Sequence, residues 1–269
     1  MEKNIDILWT EKLQQIMLSG ENVGPRGQEC RELIAQRYVY DPKDCILKNK
    51  LRDLNYTFML AEASWILSGR NDYEYMHNYL KAYGNYSDDK ITFNGAYGPK
   101  VMDQVSYVAQ VIAGDMETRR AYLNIWRERP GYSVDIPCTT GIQFFVRDYK
   151  LHAVVTMRSQ DIVWGFPYDA FTFTCILKYV QLILWHAHDI GVDLGEIHVN
   201  VGSFHIYKNH QPTVVDWCVS ANKVSKDYDS VAKRFQTVIE TSSKPSEFVD
   251  GLCAAAAMMR DNSEMRVKK

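Results

Sequence analysis

The stretch of residues 141–169, GIQFFVRDYKLHAVVTMRSQDIVWGFPYD, contains two β-rich runs followed by an abrupt change to polar residues. The two runs meet at Asp148-Tyr149, and this pattern is typical of a β-hairpin. An arginine, two aspartates and a Gly-x-Pro break then follow directly. Most polar clusters of this kind are solvated loops, but strand ends also carry catalytic and binding residues. The stretch therefore predicts a hairpin whose end is a candidate site.

The rest of the chain interleaves helical and strand patterns, which predicts a mixed α/β layer fold, α/β (α+β) in class. No Pro/Gly/Ser linker divides the 269 residues, so we expect a single domain over 1–269, with a polar, helical C-terminal region at about 216–269. Helices are expected over residues 4–20, 52–68, 103–113 and 172–188, and strands over residues 119–126 and 196–207.

Composition excludes several classes of function. The net charge is −2, so an anionic ligand must be met by local arginines, and we expect no direct nucleic-acid partner. None of the six cysteines is in C-x-x-C spacing, which argues against a zinc ribbon or a thioredoxin motif. The start is charged where a signal peptide would be apolar, and the apolar run 176–185 is interrupted and too short for a bilayer. We therefore expect a cytoplasmic protein, in the host cytoplasm if the source is viral, with no membrane partner.

Two residues are candidates for catalysis. Glu62 lies on the apolar face of the predicted helix 52–68, where a carboxylate belongs either to a structural ion pair or to a functional cleft. Cys138 follows Pro137 at the start of a predicted strand, so it is expected to be exposed. A lone cysteine is usually a small buried hydrophobe, but arginines at 119, 120 and 158 would lower the pKa of this thiol.

Guanidinium groups and a histidine strand suggest an anion site. Arg119 and Arg120 are adjacent in a predicted strand, so their side chains should point to opposite faces; most such pairs are surface charges. Arg26, Arg158 and Ser159 complete a set that suits a phosphate. His205 and Tyr207 share a strand face, where core packing is a more ordinary role than metal binding, and we predict no metal site.

Together, these segments resemble the thymidylate synthase family from roughly Ile7 to His210. The resemblance implies a three-layer fold with a mixed β-sheet, whose sheets pack face to face in a homodimer. It also implies one-carbon transfer from 5,10-methylenetetrahydrofolate, a reduced folate, to a pyrimidine nucleoside monophosphate. The matching motifs are AEASWILSG, ETRRAYLNIW, IPCTTGIQFFV, MRSQDIVWGFPYD and VGSFHIYKNH.

The resemblance assigns a role to each motif residue. Cys138 would attack carbon 6 of the base, Glu62 would order the water network that moves protons, and Tyr97 would lie near the reacting ring. The phosphate would be held by Arg26, Arg158 and Ser159, joined by Arg119 and Arg120 of the other subunit. His205 and Tyr207 would contact the sugar, and Asp161, Gly165, Tyr83 and Tyr86 would border the folate.

Departures from the family pattern refine the expected reaction. Asp169 stands where the synthases carry asparagine, and an ionised carboxylate only accepts hydrogen bonds, which suits cytosine better than uracil. The swap resembles the deoxycytidylate (dCMP) hydroxymethylases of tailed phages. Tyr83 and Tyr86 replace tryptophans, and the end EMRVKK is a poor apolar lid, so water is expected to reach the site.

The expected reaction is therefore C5 hydroxymethylation of dCMP. Methylation of dCMP, hydroxymethylation of CMP and thymidylate synthase activity on dUMP stay open as alternatives. A relative without catalytic activity that binds nucleotide or RNA is a further reading, which the presence of Cys138 and Glu62 disfavours.

Overall fold

The computed structural model describes residues 4–126 and 132–267, which form eight α-helices and six strands. The helices are α1 (Ile5–Ser19), α2 (Tyr56–Leu67), α3 (Tyr73–Tyr79), α4 (Gly98–Gly114), α5 (Gly165–His188), α6 (Val214–Val219), α7 (Tyr228–Thr241) and α8 (Pro245–Val267). The strands are β1 (Glu21–Val23), β2 (Cys30–Tyr40), β3 (Tyr122–Asn124), β4 (Thr139–Arg147), β5 (Lys150–Asp161) and β6 (Asp193–Tyr207).

The strands form one mixed sheet in the order β1-β2-β6-β5-β4-β3. Neighbours are antiparallel except β5 and β6, which are parallel because helix α5 connects them. Helix α5 packs on the sheet, and α2 and α4 pack on α5, so this helix is the middle layer. The expected mixed α/β fold with a mixed sheet is confirmed.

The predicted hairpin is confirmed as strands β4 and β5. Arg147 pairs with Lys150, and the two residues between them, Asp148 and Tyr149, have φ of 50° and 55°. Positive φ at both central residues matches the right-handed twist of the flanking strands. Alternate residues of β5 are buried, and the strand ends at Asp161, which lies beside His205 of β6.

Helix α5 begins earlier than the sequence pattern predicts. It starts at Gly165 rather than near residue 172, because Pro167 lies in the first turn, where a missing N–H breaks no helical bond. Asp169 is therefore a helical residue. From the sequence, the apolar run 176–185 is too short to cross a bilayer, but the whole of α5 is long and apolar enough to do so. Inside the protein, 72% of the apolar window of this helix is buried.

The predicted strand over residues 119–126 is only partly formed. Strand β3 covers Tyr122–Asn124, and Arg119 and Arg120 precede it as exposed residues. The prediction that these two arginines occupy opposite faces of a strand is wrong, because this segment is still leaving the turn after α4. The Thr118 hydroxyl accepts a hydrogen bond from the backbone N–H of Arg120 at 3.2 Å, which is turn geometry.

Two buried side chains fix the turn between β5 and α5. The Trp9 indole donates to the Ile162 carbonyl at 2.7 Å, and the Arg52 guanidinium donates twice to the Val163 carbonyl, at 2.9 and 2.7 Å. Arg52 also lies over the ring of Trp164, 4.7 Å from its centroid. Because these donors engage two of the three carbonyls of the turn, they hold the start of α5, and with it Asp169, in place.

The C-terminal helices pack against the rest of the chain. Helix α8 lies on α2, and its Phe248 is fully buried. In helix α7, Phe235 contacts Phe171 of α5 with ring centroids 4.5 Å apart. The polar C-terminal sequence thus supports the helix that carries Glu62.

Candidate active site

Cys138 lies directly before strand β4 and is partly buried, while Cys30, Cys45 and Cys175 are fully buried. The Ser159 hydroxyl lies 3.6 Å from its sulfur, in position to donate a hydrogen bond. The carbonyl of Cys138 accepts from the backbone N–H of Arg158 at 2.8 Å. The hairpin therefore brings the cysteine and the Arg-Ser pair together.

Arg158 holds the loop that carries Cys138. Its guanidinium donates to the carbonyls of Ile136 and Pro137, at 2.8 and 3.0 Å, and to the Ser159 hydroxyl at 3.0 Å. These three hydrogen bonds do not exhaust the five N–H donors of an arginine, so the fork retains capacity for an anion.

The pKa of the Cys138 thiol is raised, whereas the arginines in the sequence predicted that it would be lowered. Burial is the largest cause; the Arg158 charge and the Ser159 hydrogen bond oppose it, and the charges of Asp169 and Asp135 add to it. The expectation was wrong because it counted nearby positive charge without the loss of water around the sulfur. The favourable charge that acts on the thiol comes from Arg158, while Arg119 and Arg120 are exposed before β3.

Asp169 is held by a hydrogen-bonded chain. The Gln160 amide donates to Asp169 Oδ2 at 2.8 Å, and the Tyr38 hydroxyl donates to Gln160 Oε1 at 2.8 Å. Burial raises the pKa of Asp169 to about 7, against the lowering effect of the Gln160 hydrogen bond and with a smaller rise from Asp161. A Cβ on Gly165 would lie 3.2 Å from Asp169 Oδ2, so the glycine leaves room for this carboxyl.

Glu62 of α2 is coupled to the same group. Burial, followed by the negative charge of Asp169, raises the pKa of Glu62 to about 8, and a hydrogen bond with Tyr83 acts in the opposite direction. Tyr97, at the start of α4, accepts from the backbone N–H of Thr139 at 3.1 Å, next to Cys138. The Tyr97 phenol is within electrostatic range of both Asp169 and Cys138. One side of the site is thus a cluster of weakly ionised acids around a thiol.

We expect Glu62→Gln to stabilise the protein at alkaline pH. Because the folded-state pKa of Glu62 is raised to about 8, the folded state holds a proton that the unfolded chain has released. Stability is therefore lost as the pH rises from the unfolded pKa through the folded one. Relative to wild type, the variant should gain about 4 kcal/mol at pH 8.5 and little below pH 4.5 in urea unfolding. Glu117→Gln, at an exposed position, is the control. An equal change in the free energy of unfolding of Glu62→Gln at both pH values would contradict a raised pKa for Glu62.

A cleft of about 930 Å³ opens at the ends of strands β5 and β6, and its lining does not include Cys138, Glu62 or Asp169. Arg26, Tyr86, Asp161 and Tyr207, four of the sequence-predicted site residues, line it. Arg26 has φ of 53°, in the left-handed region, within the short turn that precedes β2. The His205 and Tyr207 rings are 5.1 Å apart at 82°, which confirms that they share a strand face. The structure thus places the candidate residues from several segments at one edge of the sheet.

Three residues of the site escaped the sequence analysis. Trp164 and His210 line the cleft, with the Trp164 indole donating to His210 Nε2 at 2.9 Å. Trp164 is 50% exposed, and the quoted stretch gave a signal for it, since a tryptophan directly after a strand end is seldom left in solvent without a partner. Gln160 offered no such signal, because its partner Tyr38 is far away in the sequence.

A cluster of His152, Glu196 and His198 on the open sheet face has metal-like spacing, with ligand atoms within 4.8 Å. However, His152 Nδ1 accepts the backbone N–H of Glu196 at 2.9 Å. The proton of a neutral ring then lies on Nε2, so neither nitrogen of His152 offers a free lone pair. This hydrogen bonding disfavours a metal ion at the cluster.

Comparison with known proteins supplies the family context. Residues 8–225 match the family model described as thymidylate synthase. Among curated proteins, the deoxyuridylate hydroxymethyltransferase of Bacillus phage SP01 is 29% identical over 223 residues, covering 74% of this chain and 56% of that protein. The protein of the same name from Pseudomonas phage M6 is 32% identical over 177 residues, covering 62% and 49%. The chain therefore spans about half the length of these curated relatives.

A solved structure shares the fold. The thermostable thymidylate synthase A from Bacillus subtilis superposes with a TM-score of 0.66 at 20% sequence identity, covering 79% of this chain and 83% of that one. At this level of similarity the two proteins share their fold.

Proposed function

The chain belongs to the thymidylate synthase family, and from that premise we propose that it hydroxymethylates carbon 5 of dCMP with 5,10-methylenetetrahydrofolate and water. The observation that carries the choice of base is Asp169, a carboxyl whose Oδ2 accepts from Gln160 and whose pKa is raised to about 7. The family's synthases have an asparagine at this position, so the base-reading group differs in hydrogen-bonding character.

The carboxyl suits the edge of cytosine. An Asp169 oxygen accepts from the exocyclic amino group, and the carboxyl shares a proton with ring nitrogen 3. Against uracil, an ionised carboxylate would face the carbonyl oxygen at carbon 4, leaving two acceptors opposed. A pKa near 7 lets Asp169 carry the shared proton at neutral pH, since either protonation state is close in free energy.

Cys138, Glu62 and Tyr97 would carry the chemistry. The Cys138 thiolate adds to carbon 6 of the base, carbon 5 bonds the one-carbon unit, and the carbon 5 proton leaves. With that proton lost, the bond between the one-carbon unit and the folate nitrogen would break, so that tetrahydrofolate leaves and an exocyclic methylene remains on carbon 5. Water would then add to this methylene as the thiolate departs from carbon 6. Glu62, largely protonated at neutral pH because its pKa is about 8, is placed to donate and recover a proton through water. Tyr97 orders the start of β4 beside the thiol through its bond to Thr139.

The phosphate and sugar would be bound at the sheet edge. We propose that Arg26, Arg158 and Ser159 supply guanidinium and hydroxyl donors for the phosphate, and that His205 and Tyr207, which share a strand face, contact the sugar. We propose that Arg119 and Arg120 reach the phosphate site of a partner subunit, because both are exposed in this chain.

We propose that the cleft binds the reduced folate co-substrate. Tyr86 and Trp164 are 56% and 50% exposed in the cleft wall, and such faces suit a planar ring system. Asp161 and Gly165 lie at the same strand-to-helix turn, and Tyr83 contacts Tyr86 with centroids 5.8 Å apart. When bound, the folate supplies the methylene carbon.

A homodimer through the open face of the sheet completes the proposal. Side chains on that face, including Val39, Phe145 and Val154, are partly exposed in a single chain. Burying apolar side chains of this kind favours association, and the same packing would carry Arg119 and Arg120 toward a partner.

The product tests the proposal. Incubation with dCMP and 5,10-methylenetetrahydrofolate should yield 5-hydroxymethyl-dCMP and tetrahydrofolate, a reaction with no net oxidation. Mass spectrometry identifies the nucleotide, and absorbance of dihydrofolate reports the alternative, in which hydride from the folate gives 5-methyl-dCMP. Formation of dihydrofolate in step with product would contradict hydroxymethylation. Offering CMP in parallel tests the sugar preference.

Hydroxymethylation of dUMP is the second candidate. It is favoured by the names of the phage relatives, which are deoxyuridylate hydroxymethyltransferases at 29% and 32% identity. The chemistry at carbon 5 would be the same, and only the partner of Asp169 would differ.

A further inference from the structure

We infer that Gln160, held by Tyr38, makes Asp169 select cytosine over uracil. Gln160 does so by fixing which oxygen of the Asp169 carboxyl can carry a proton. The inference deepens the proposed function and rests on it for the choice of base. Gln160 is a positioning residue, because its observed contact is with Asp169.

The hydrogen-bond directions of the chain are determined by chemistry. Gln160 Oε1 is a carbonyl oxygen and can only accept, so the Tyr38 hydroxyl, 2.8 Å away, must donate to it. The Gln160 amide nitrogen then faces Asp169 Oδ2 at 2.8 Å and must donate. Gln160 is 1% exposed and Tyr38 is 4% exposed, so water does not compete for these groups.

This arrangement restricts the protonation states of Asp169. An oxygen that accepts a strong hydrogen bond is disfavoured as a protonation site, so the proton of Asp169 is confined to Oδ1. Uracil would pair with the carboxyl through both oxygens only if the one facing its carbonyl carried a proton. In the proposed complex Oδ2 faces the substituent at carbon 4 of the base and Oδ1 faces ring nitrogen 3. Keeping Oδ2 an acceptor then removes the protonation state that would pair with uracil, while a proton on Oδ1 pairs with ring nitrogen 3 of cytosine.

Other ionisable groups face Asp169 and must be held constant in any test. They come from α2, α4, β2, β5 and the loop before β4, and they are Glu62, Tyr97, Tyr38, Tyr40, Asp161 and Cys138. None of them is altered by Gln160→Met, which keeps the length of the side chain and removes the donor.

The first test is an NMR titration of carboxyl-¹³C aspartate in the ligand-free protein, with Asp169→Asn to assign the signal. The Gln160 hydrogen bond favours the ionised form, so Gln160→Met should raise the Asp169 pKa by about one unit. Tyr38→Phe should raise the Asp169 pKa by less, because the Gln160 amide remains and loses only the hydrogen bond from the Tyr38 hydroxyl. Gln143→Met in β4 and the buried Tyr56→Phe are the matched controls and should leave the titration unchanged.

The second test is the ratio of products from dCMP and dUMP in one reaction, which Gln160→Met should lower about tenfold. An Asp169 pKa within 0.3 unit of wild type (about the precision of such a titration) in Gln160→Met would overturn the inference. Should that variant not fold, an unshifted Asp169 in Tyr38→Phe would do the same. The titration needs no substrate, so it tests the effect of Gln160 on Asp169 independently of the substrate. A wild-type preference for dUMP would contradict the proposed function, but the effect of Gln160 on the Asp169 pKa could still be measured.

Discussion

Asp169→Asn is expected to reverse the base preference from dCMP to dUMP. With asparagine at position 169 the Gln160 amide can turn, so that its Nε2 donates to the Tyr38 hydroxyl and its Oε1 accepts from the new amide. The asparagine then donates to the uracil carbonyl and accepts from the N–H of ring nitrogen 3, whereas against cytosine it has no acidic proton to give to that nitrogen. Sites with mispaired buried polar groups reject a ligand by about 10⁴-fold. We therefore expect the ratio of kcat/KM for dCMP over that for dUMP to fall by roughly 10³–10⁴-fold.

A control variant and a second expected effect accompany the Asp169→Asn prediction. Exposed Asp103→Asn of α4 is the control and should leave the ratio unchanged. The variant should also lower the pKa of Glu62, because the negative charge of Asp169 helps to raise it. An unaltered base preference in Asp169→Asn would remove Asp169 from the reading of the base.

Cys138→Ala is expected to abolish turnover while leaving dCMP binding within a few-fold of wild type. The thiol forms the covalent bond that activates carbon 5, and removing a nucleophile costs about 10⁴–10⁶-fold in kcat. Single-turnover mass spectrometry measures product, and equilibrium titration with dCMP measures binding. The control is Cys218→Ala, which removes a free, partly buried thiol from α6.

Product formation by Cys138→Ala at a tenth of the wild-type rate or more would exclude the covalent mechanism. Loss of both turnover and dCMP binding, with the fold intact, would instead point to a structural role for the thiol in the loop that Arg158 holds.

The fold was predictable where the pattern is local. The β4–β5 hairpin follows from two alternating runs around Asp148-Tyr149, and strand β6 shows the expected alternation, with Val199 and Val201 buried between more exposed neighbours. Helix α2 was predicted from its apolar spacing, and Glu62 was identified because it interrupts that apolar face. These features depend on periodicity that neighbouring residues impose.

The features that were missed depend on tertiary structure. The raised pKa of the Cys138 thiol reflects burial by distant segments, which no local charge count includes. Arg119 and Arg120 begin the run RRAYLNIW, which has a strand-like pattern, but strand β3 pairs with β4 only from Tyr122. Gln160 acquires its role from Tyr38 on one side and Asp169 on the other, and only the fold brings them together.

The most direct measurement offers the wild-type protein equal concentrations of dCMP and dUMP, with 5,10-methylenetetrahydrofolate, and counts both hydroxymethylated products by mass. Under competition, their ratio equals the ratio of the two kcat/KM values. Our account predicts that 5-hydroxymethyl-dCMP exceeds the uracil product by at least about 100-fold. Equal amounts, or an excess of 5-hydroxymethyl-dUMP, would contradict it.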